Sequence, residues 1–188
     1  MGLVEKVAVP EGKSGIWEIA KFDVGGGPDF EALRLALHGR PITPGTYTRL
    51  MRGRTLVMSD TPAEMRDHHG FVLAAKGHCL INGLGLGMCL AAALKKEEVT
   101  KVTVIEISED VISLVAPTYT NDHRVEIVHA SAFDYQPPKG VRYGAVWHDI
   151  WDNICADNLP EMHKLHRKYG RRADWQGSWC RDQCERGH

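Results

Sequence analysis

No run of about 20 consecutive apolar residues occurs anywhere in the 188-residue chain, and the first ten residues carry Glu5 and Lys6 among their apolar neighbours. The first absence excludes a membrane-spanning helix, and the second argues against a secretory leader. An excess of one charge is also missing: 23 Lys and Arg face 24 Asp and Glu, a formal net charge of -1. That balance provides no overall field to attract nucleic acid or an anionic membrane. Aromatic residues are sparse at 7%, yet 43% of the chain is hydrophobic, enough to build one core at this length. A disulfide framework is not indicated either. The five cysteines, Cys79, Cys89, Cys155, Cys180 and Cys184, are odd in number and scattered. Reduced thiols and a cytoplasmic location are the expectation.

Cys180, Cys184 and His188 stand four residues apart, so a helix would align them on one face. No paired-cysteine motif supports a metal there, and the sequence assigns none. The length suits a single domain with three regions. Residues 1–58 read as a strand and hairpin region: Ile16–Phe22 alternates as a strand does, and Thr46–Leu50 and Thr55–Met58 flank an Arg52-Gly53-Arg54 turn. Phe30–His38 reads as a short helix. Residues 59–152 form the core region, opened by a helix from Ser59-Asp60-Thr61-Pro62 to about Lys76. Residues 153–188 read as helical, with one clear helix over Leu159–Tyr169 and no strand-like run after Arg171.

Within the core region strands and helices alternate. His78–Asn82, Lys101–Glu106, Arg124–His129 and Tyr143–Asp149 read as strands; Met88–Lys95 and Asp110–Thr118 read as helices. Such alternation predicts an α/β fold with a mainly parallel sheet. Gly83, Gly85 and Gly87 follow the first strand directly and open a helix. Glycines suit a tight turn that a ligand must approach closely, and the amides at the helix start favour negative groups. Glu106 ends the next strand, 19 residues after Gly87, where a carboxylate accepts from both ribose hydroxyls of a nucleoside.

The glycines read G-x-G-x-G rather than the dinucleotide pattern G-x-G-x-x-G. That spacing resembles motif I of the class I S-adenosylmethionine-dependent methyltransferases. Leu80–Gly87, Val102–Glu106 and Asp149-Ile150-Trp151-Asp152 look most like the spermidine synthase-like branch. The resemblance implies a Rossmann-like, doubly wound sheet binding S-adenosylmethionine or its decarboxylated form. Gly83, Gly85 and Gly87 would cradle the amino-acid end, Glu106 the ribose, and Ile107 would lie beside the adenine. Two positions depart from the family. Asn82 replaces the usual acid before the first glycine, and Ser131 stands where an acid normally bonds the adenine amino group.

Asp149 and Asp152 lie where open α/β sheets bind ligands, beyond the carboxyl ends of the strands. A carboxylate there can take the acceptor's proton, and Trp147 or Trp151 can face a cationic centre. Asp60, Glu64, His68 and His69 are further polar candidates just ahead of the first core strand. Family sheets normally have seven strands, so the chain reads as a reduced variant lacking the last three. An uncovered edge would favour a homodimer. The resulting expectation is a methyltransferase-like protein of unassigned acceptor. The alternatives are an aminopropyltransferase or a nucleoside-binding module without chemistry.

Overall fold

A computed structural model describes residues 2–25, 40 and 42–187. The helix expected over Phe30–His38 lies outside them.

The N-terminal region forms a four-stranded antiparallel sheet: β1 (Gly12–Ser14), β2 (Trp17–Val24), β3 (Gly45–Arg52) and β4 (Thr55–Ser59), in that order. β2 and β3 pair without interruption from Trp17↔Arg52 to Val24↔Gly45. Gly53 supplies the positive φ, +59°, that the β3–β4 turn needs. Alternation places Ile19 and Leu50 on the inner face, where each is 1% exposed.

The expected single helix after β4 is two, α1 (Pro62–Asp67) and α2 (His69–Ala74). The chain breaks between them at His68 (φ −90°, ψ −6°), whose side chain is fully buried. Asp60 and Glu64 face their own backbone rather than a ligand. The Asp60 carboxylate accepts from the amides of Thr48 (2.6 Å) and Val7 (3.1 Å), and that of Glu64 from the amide (2.8 Å) and hydroxyl (2.7 Å) of Ser59. These bonds anchor the α1 entry to the antiparallel sheet.

The second sheet is wholly parallel. It comprises β5 (Gly77–Asn82), β6 (Val99–Glu106), β7 (Val125–His129), β8 (Tyr143–His148) and β9 (Ala173–Ser178), ordered β7-β6-β5-β8-β9. The connecting helices are α3 (Met88–Leu94), α4 (Glu109–Val115), α5 (Leu159–Tyr169) and α6 (Arg181–Arg186). Period-two alternation divides β5 between two cores: Cys79 and Ile81 pack with Phe71, Leu90 and Trp147, while Leu80 packs with Leu165 and Tyr169. Both faces are thus covered, as a Rossmann-like doubly wound sheet requires. No helix among the described residues is long and apolar enough to cross a membrane.

β9 corrects the sequence reading of residues 153–188. It pairs in parallel with β8, from Tyr143↔Ala173 to His148↔Ser178, so the C-terminal segment gives the core sheet a strand. Of the three strands expected to be missing, one is present. Its sequence, Ala-Asp-Trp-Gln-Gly-Ser, is polar because it lies at the edge, and five of its six residues keep some exposure.

Candidate functional site

The strand order reverses at β5, which lies between β6 and β8. Open α/β sheets bind ligands at such a switch point, beyond the strand ends. The backbone turns there on three glycines of positive φ: Gly83 (+97°), Gly85 (+50°) and Gly87 (+77°). The Gly83 amide donates to the Ile105 carbonyl at 2.8 Å, joining the loop to β6. Glu106 then holds it from below. Its Oε2 accepts from the Leu84 amide and its Oε1 from the Ser108 amide, both at 2.8 Å. One carboxylate thereby fixes the glycine loop relative to the start of α4. Each of its oxygens retains a further lone pair for a ligand hydroxyl.

Above these strand ends lies a cavity of about 390 Å³. It gathers Gly83, Gly85, Glu106, Ile107, Ser131, Asp149 and Asp152 from the expected site. Ile107 is 70% exposed and offers the cavity an apolar surface suited to a flat aromatic ligand. Ser131 lines the cavity, and its hydroxyl accepts from the Phe133 amide at 3.2 Å. Trp151 also lines the cavity and donates its indole N–H to Glu161 at 2.8 Å.

Other expected residues are not cavity-lining. The Asn82 amide lies on the α5 side of the sheet and is fully buried, with its nitrogen 2.8 Å from His148 Nδ1. Side chains alternate along β5, so a residue flanked by the inward-facing Ile81 and by Gly83 points the other way. Gly87 packs under the Tyr119 ring, and its missing Cβ makes room for that ring rather than for a ligand. Trp147 is core: it stacks between Phe71 and Trp175, with centroids 6.1 and 6.2 Å away.

The antiparallel sheet supplies a wall that sequence reasoning missed. Trp17, Leu50, Arg52, Val57 and Met58 all face the cavity. The Arg52 guanidinium pairs with Asp152 and lies over the Trp17 ring, closing the mouth between the two sheets. The Met58 thioether accepts from the Leu86 amide at 3.3 Å and so rests against the glycine loop. Nothing local in the hairpin sequence marks these residues, because only the packing of one sheet over the other brings them there.

Asp149 sits at the boundary between the cavity and the core. Its side chain is 7% exposed, and its Oδ2 lies 3.8 Å from Nδ1 of His68. Burial, reinforced by Glu64, Asp67 and Glu106, pushes its carboxyl pKa up to about 8. Burial likewise pushes His68 down to about 4.

No family model matches the chain, and no curated protein matches it. Among solved structures it resembles the spermidine synthase of Thermotoga maritima, at 17% identity and a TM-score of 0.53, over 91% of this chain and 59% of that one. A spermidine synthase in complex with the transition-state analogue AdoDATO matches at 16% identity and a TM-score of 0.50, over 90% of this chain and 69% of that one. The 23S rRNA methyltransferase ErmE matches at 15% identity and a TM-score of 0.46, over 61% of this chain and 44% of that one. The chain therefore shares the fold of the two spermidine synthases, a Rossmann-like parallel sheet with an antiparallel sheet at its N-terminus. It spans about three-fifths of the Thermotoga maritima enzyme's length.

Proposed function

We propose that this chain binds S-adenosylmethionine in the cavity above β5 and β6 and transfers its methyl group to an acceptor. One observation carries the reading: Glu106, the glycine loop, Asp149 and Asp152 all line one 390 Å³ cavity beyond the ends of β5, β6 and β8. The spacing of the glycines as G-x-G-x-G selects the sulfonium nucleoside over a dinucleotide. When bound, the cofactor supplies a sulfonium-activated carbon, so the protein's task is chiefly alignment. Glu106 accepts from the ribose hydroxyls, Ile107 flanks the adenine and Ser131 offers its hydroxyl to the adenine edge. Gly83 and Gly85 bring the loop backbone to the cavity for the amino-acid end, their missing side chains leaving room for the Asp149 carbonyl and the Met58 thioether. Asp152, and Asp149 once it is ionised above its raised pKa of about 8, are the acids available to take the acceptor's proton.

A second reading is supported by the breadth of the likeness to the two spermidine synthases, which includes the antiparallel sheet. In it, the same cavity takes the decarboxylated cofactor and an aminopropyl group is transferred to an amine. Calorimetry on the full chain with S-adenosylmethionine, its decarboxylated form and NAD separates the cases. The proposal expects S-adenosylmethionine to bind best. Preference for the decarboxylated form favours the second reading, and binding of NAD alone overturns both.

The acids are tested by turnover. Once an acceptor is found, Asp149→Asn is expected to lower the single-turnover rate by roughly 10²- to 10⁴-fold, the span of acid–base assistance, while cofactor affinity stays unchanged. Equal rates for the two proteins would remove Asp149 from the chemistry.

A further inference from the structure

Behind the glycine loop, on the side of the sheet away from α5, three side chains converge, and the cofactor reading gives a task to Asp149 alone among them. They are His68 from the α1–α2 break, Cys89 from α3 and Asp149 from the end of β8. A ligand atom of each lies within 4.8 Å of those of the other two. Among the described residues, neither ring nitrogen of His68 has a hydrogen-bond partner, although the side chain is completely buried. A neutral imidazole presents one donor and one acceptor, so both capacities are unmet. The 3.8 Å separation from Asp149 is too long for a hydrogen bond. Cys89 is 6% exposed, and burial together with Asp149 raises its thiol pKa. Between the three lies a space of about 10 Å³, the room of roughly one water or ion.

We infer that His68, Cys89 and Asp149 form a binding site for a zinc-type divalent cation. The donor set is imidazole nitrogen, thiolate sulfur and carboxylate oxygen, the combination that zinc accepts and that magnesium or calcium does not. A tetrahedral zinc ion holds its ligand atoms roughly 3.3–3.6 Å apart, so side-chain rotations that draw these three together by up to about 1.5 Å complete the site. Charge supports the same assignment. A thiolate and a carboxylate sum to −2, which a divalent cation cancels in a setting too dry to hold either anion alone. The cation also gives a bare His68 nitrogen its partner. Three protein donors leave one tetrahedral position, as in zinc sites that retain a water. Asp149, Gly83 and Met58 line both this space and the large cavity, so the two share a wall. Asp149 needs only one carboxylate oxygen for the ion.

Metal binding needs no cofactor, so its failure and that of the transferase reading are separable. Titration of the full-length chain with cobalt(II) is expected to give one ion per chain. Visible bands of a tetrahedral ion and a thiolate-to-cobalt charge-transfer band should accompany it. X-ray absorption of the zinc-loaded wild type should show one sulfur neighbour at about 2.3 Å and the rest nitrogen or oxygen at about 2.0–2.2 Å. Cys89→Ser should abolish the charge-transfer band, and both Cys89→Ser and His68→Gln should weaken zinc binding at least about 100-fold, the upper range for losing even an outer partner. Cys180→Ser with Cys184→Ser should leave the spectrum unchanged. Absence of stoichiometric cobalt binding overturns the inference. So does a shell of two or more sulfurs, or a signal that disappears with Cys180 and Cys184 instead. The wild-type absorption measurement decides even where a variant fails to fold.

Discussion

Replacing Glu106 with alanine is expected to weaken S-adenosylmethionine binding by about 1.5–3 kcal/mol and to destabilise the fold at the same time. The first effect is the loss of a charged acceptor for the ribose hydroxyls. The second follows from what the carboxylate already does without ligand: it accepts from the amides of Leu84 and Ser108. Alanine leaves both donors without that partner. An unsatisfied buried donor costs roughly 1–3 kcal/mol, and access of water from the cavity holds the sum near about 1–3 kcal/mol. For a chain of this size that lowers the melting temperature by roughly 2–12 °C. Glu106→Gln is the informative companion. Its carbonyl oxygen can keep one of the two amides, while its NH₂ meets the other donor head-on, so it should fall between wild type and alanine in both readouts. Calorimetry and thermal denaturation check this. Unchanged affinity in Glu106→Ala would remove the ribose role, and an unchanged melting temperature would show that the loop is held by other contacts.

The parts of this site that were legible in the sequence are those that local chemistry dictates. A strand that ends in Gly83, Gly85 and Gly87 and then enters a helix has few conformations open to it, and Glu106 is fixed by strand length alone. The acids at the end of β8 follow from the same rule of strand ends. What was not legible depends on distant neighbours. β9 is a sheet strand only because β8 offers it an edge and Trp147 a stacking partner for Trp175; its own polar sequence carries no period-two signal. Asp60 and Glu64 looked like ligand-facing acids, yet the docking of the antiparallel sheet turns both to backbone amides. Asn82 stands one residue before the loop, but strand alternation sends it to the opposite face from Cys89. His68, Cys89 and Asp149 are separated by 21 and 60 residues in the sequence, and no spacing rule brings them together.

The largest structural penalty is expected at Gly83, where the central strands β5 and β8 end side by side. Its φ of +97° is a conformation that L side chains rarely adopt, and a Cβ added there would be driven into the backbone carbonyl of Asp149. Neither group has freedom to retreat. The Asp149 amide donates to the Asn82 carbonyl at 2.8 Å, and the Gly83 amide is bonded to Ile105, so relief requires parting the strand ends. Backbone strain of about 1–3 kcal/mol and a comparable overpacking term together make Gly83→Ala cost about 2–6 kcal/mol. Cofactor binding should be lost with it, because the same displacement moves the loop that Glu106 holds. Gly53→Ala provides the contrast. That glycine also has positive φ, +59°, but a Cβ there meets nothing within 4 Å. Only the left-handed conformation is penalised, by about 1–2 kcal/mol, and the turn lies far from the glycine loop in sequence. Thermal denaturation and calorimetry on both variants separate strain from collision. Should Gly83→Ala melt no lower than Gly53→Ala and still bind, the close approach of β5 and β8 at Asp149 would not be what keeps the loop open.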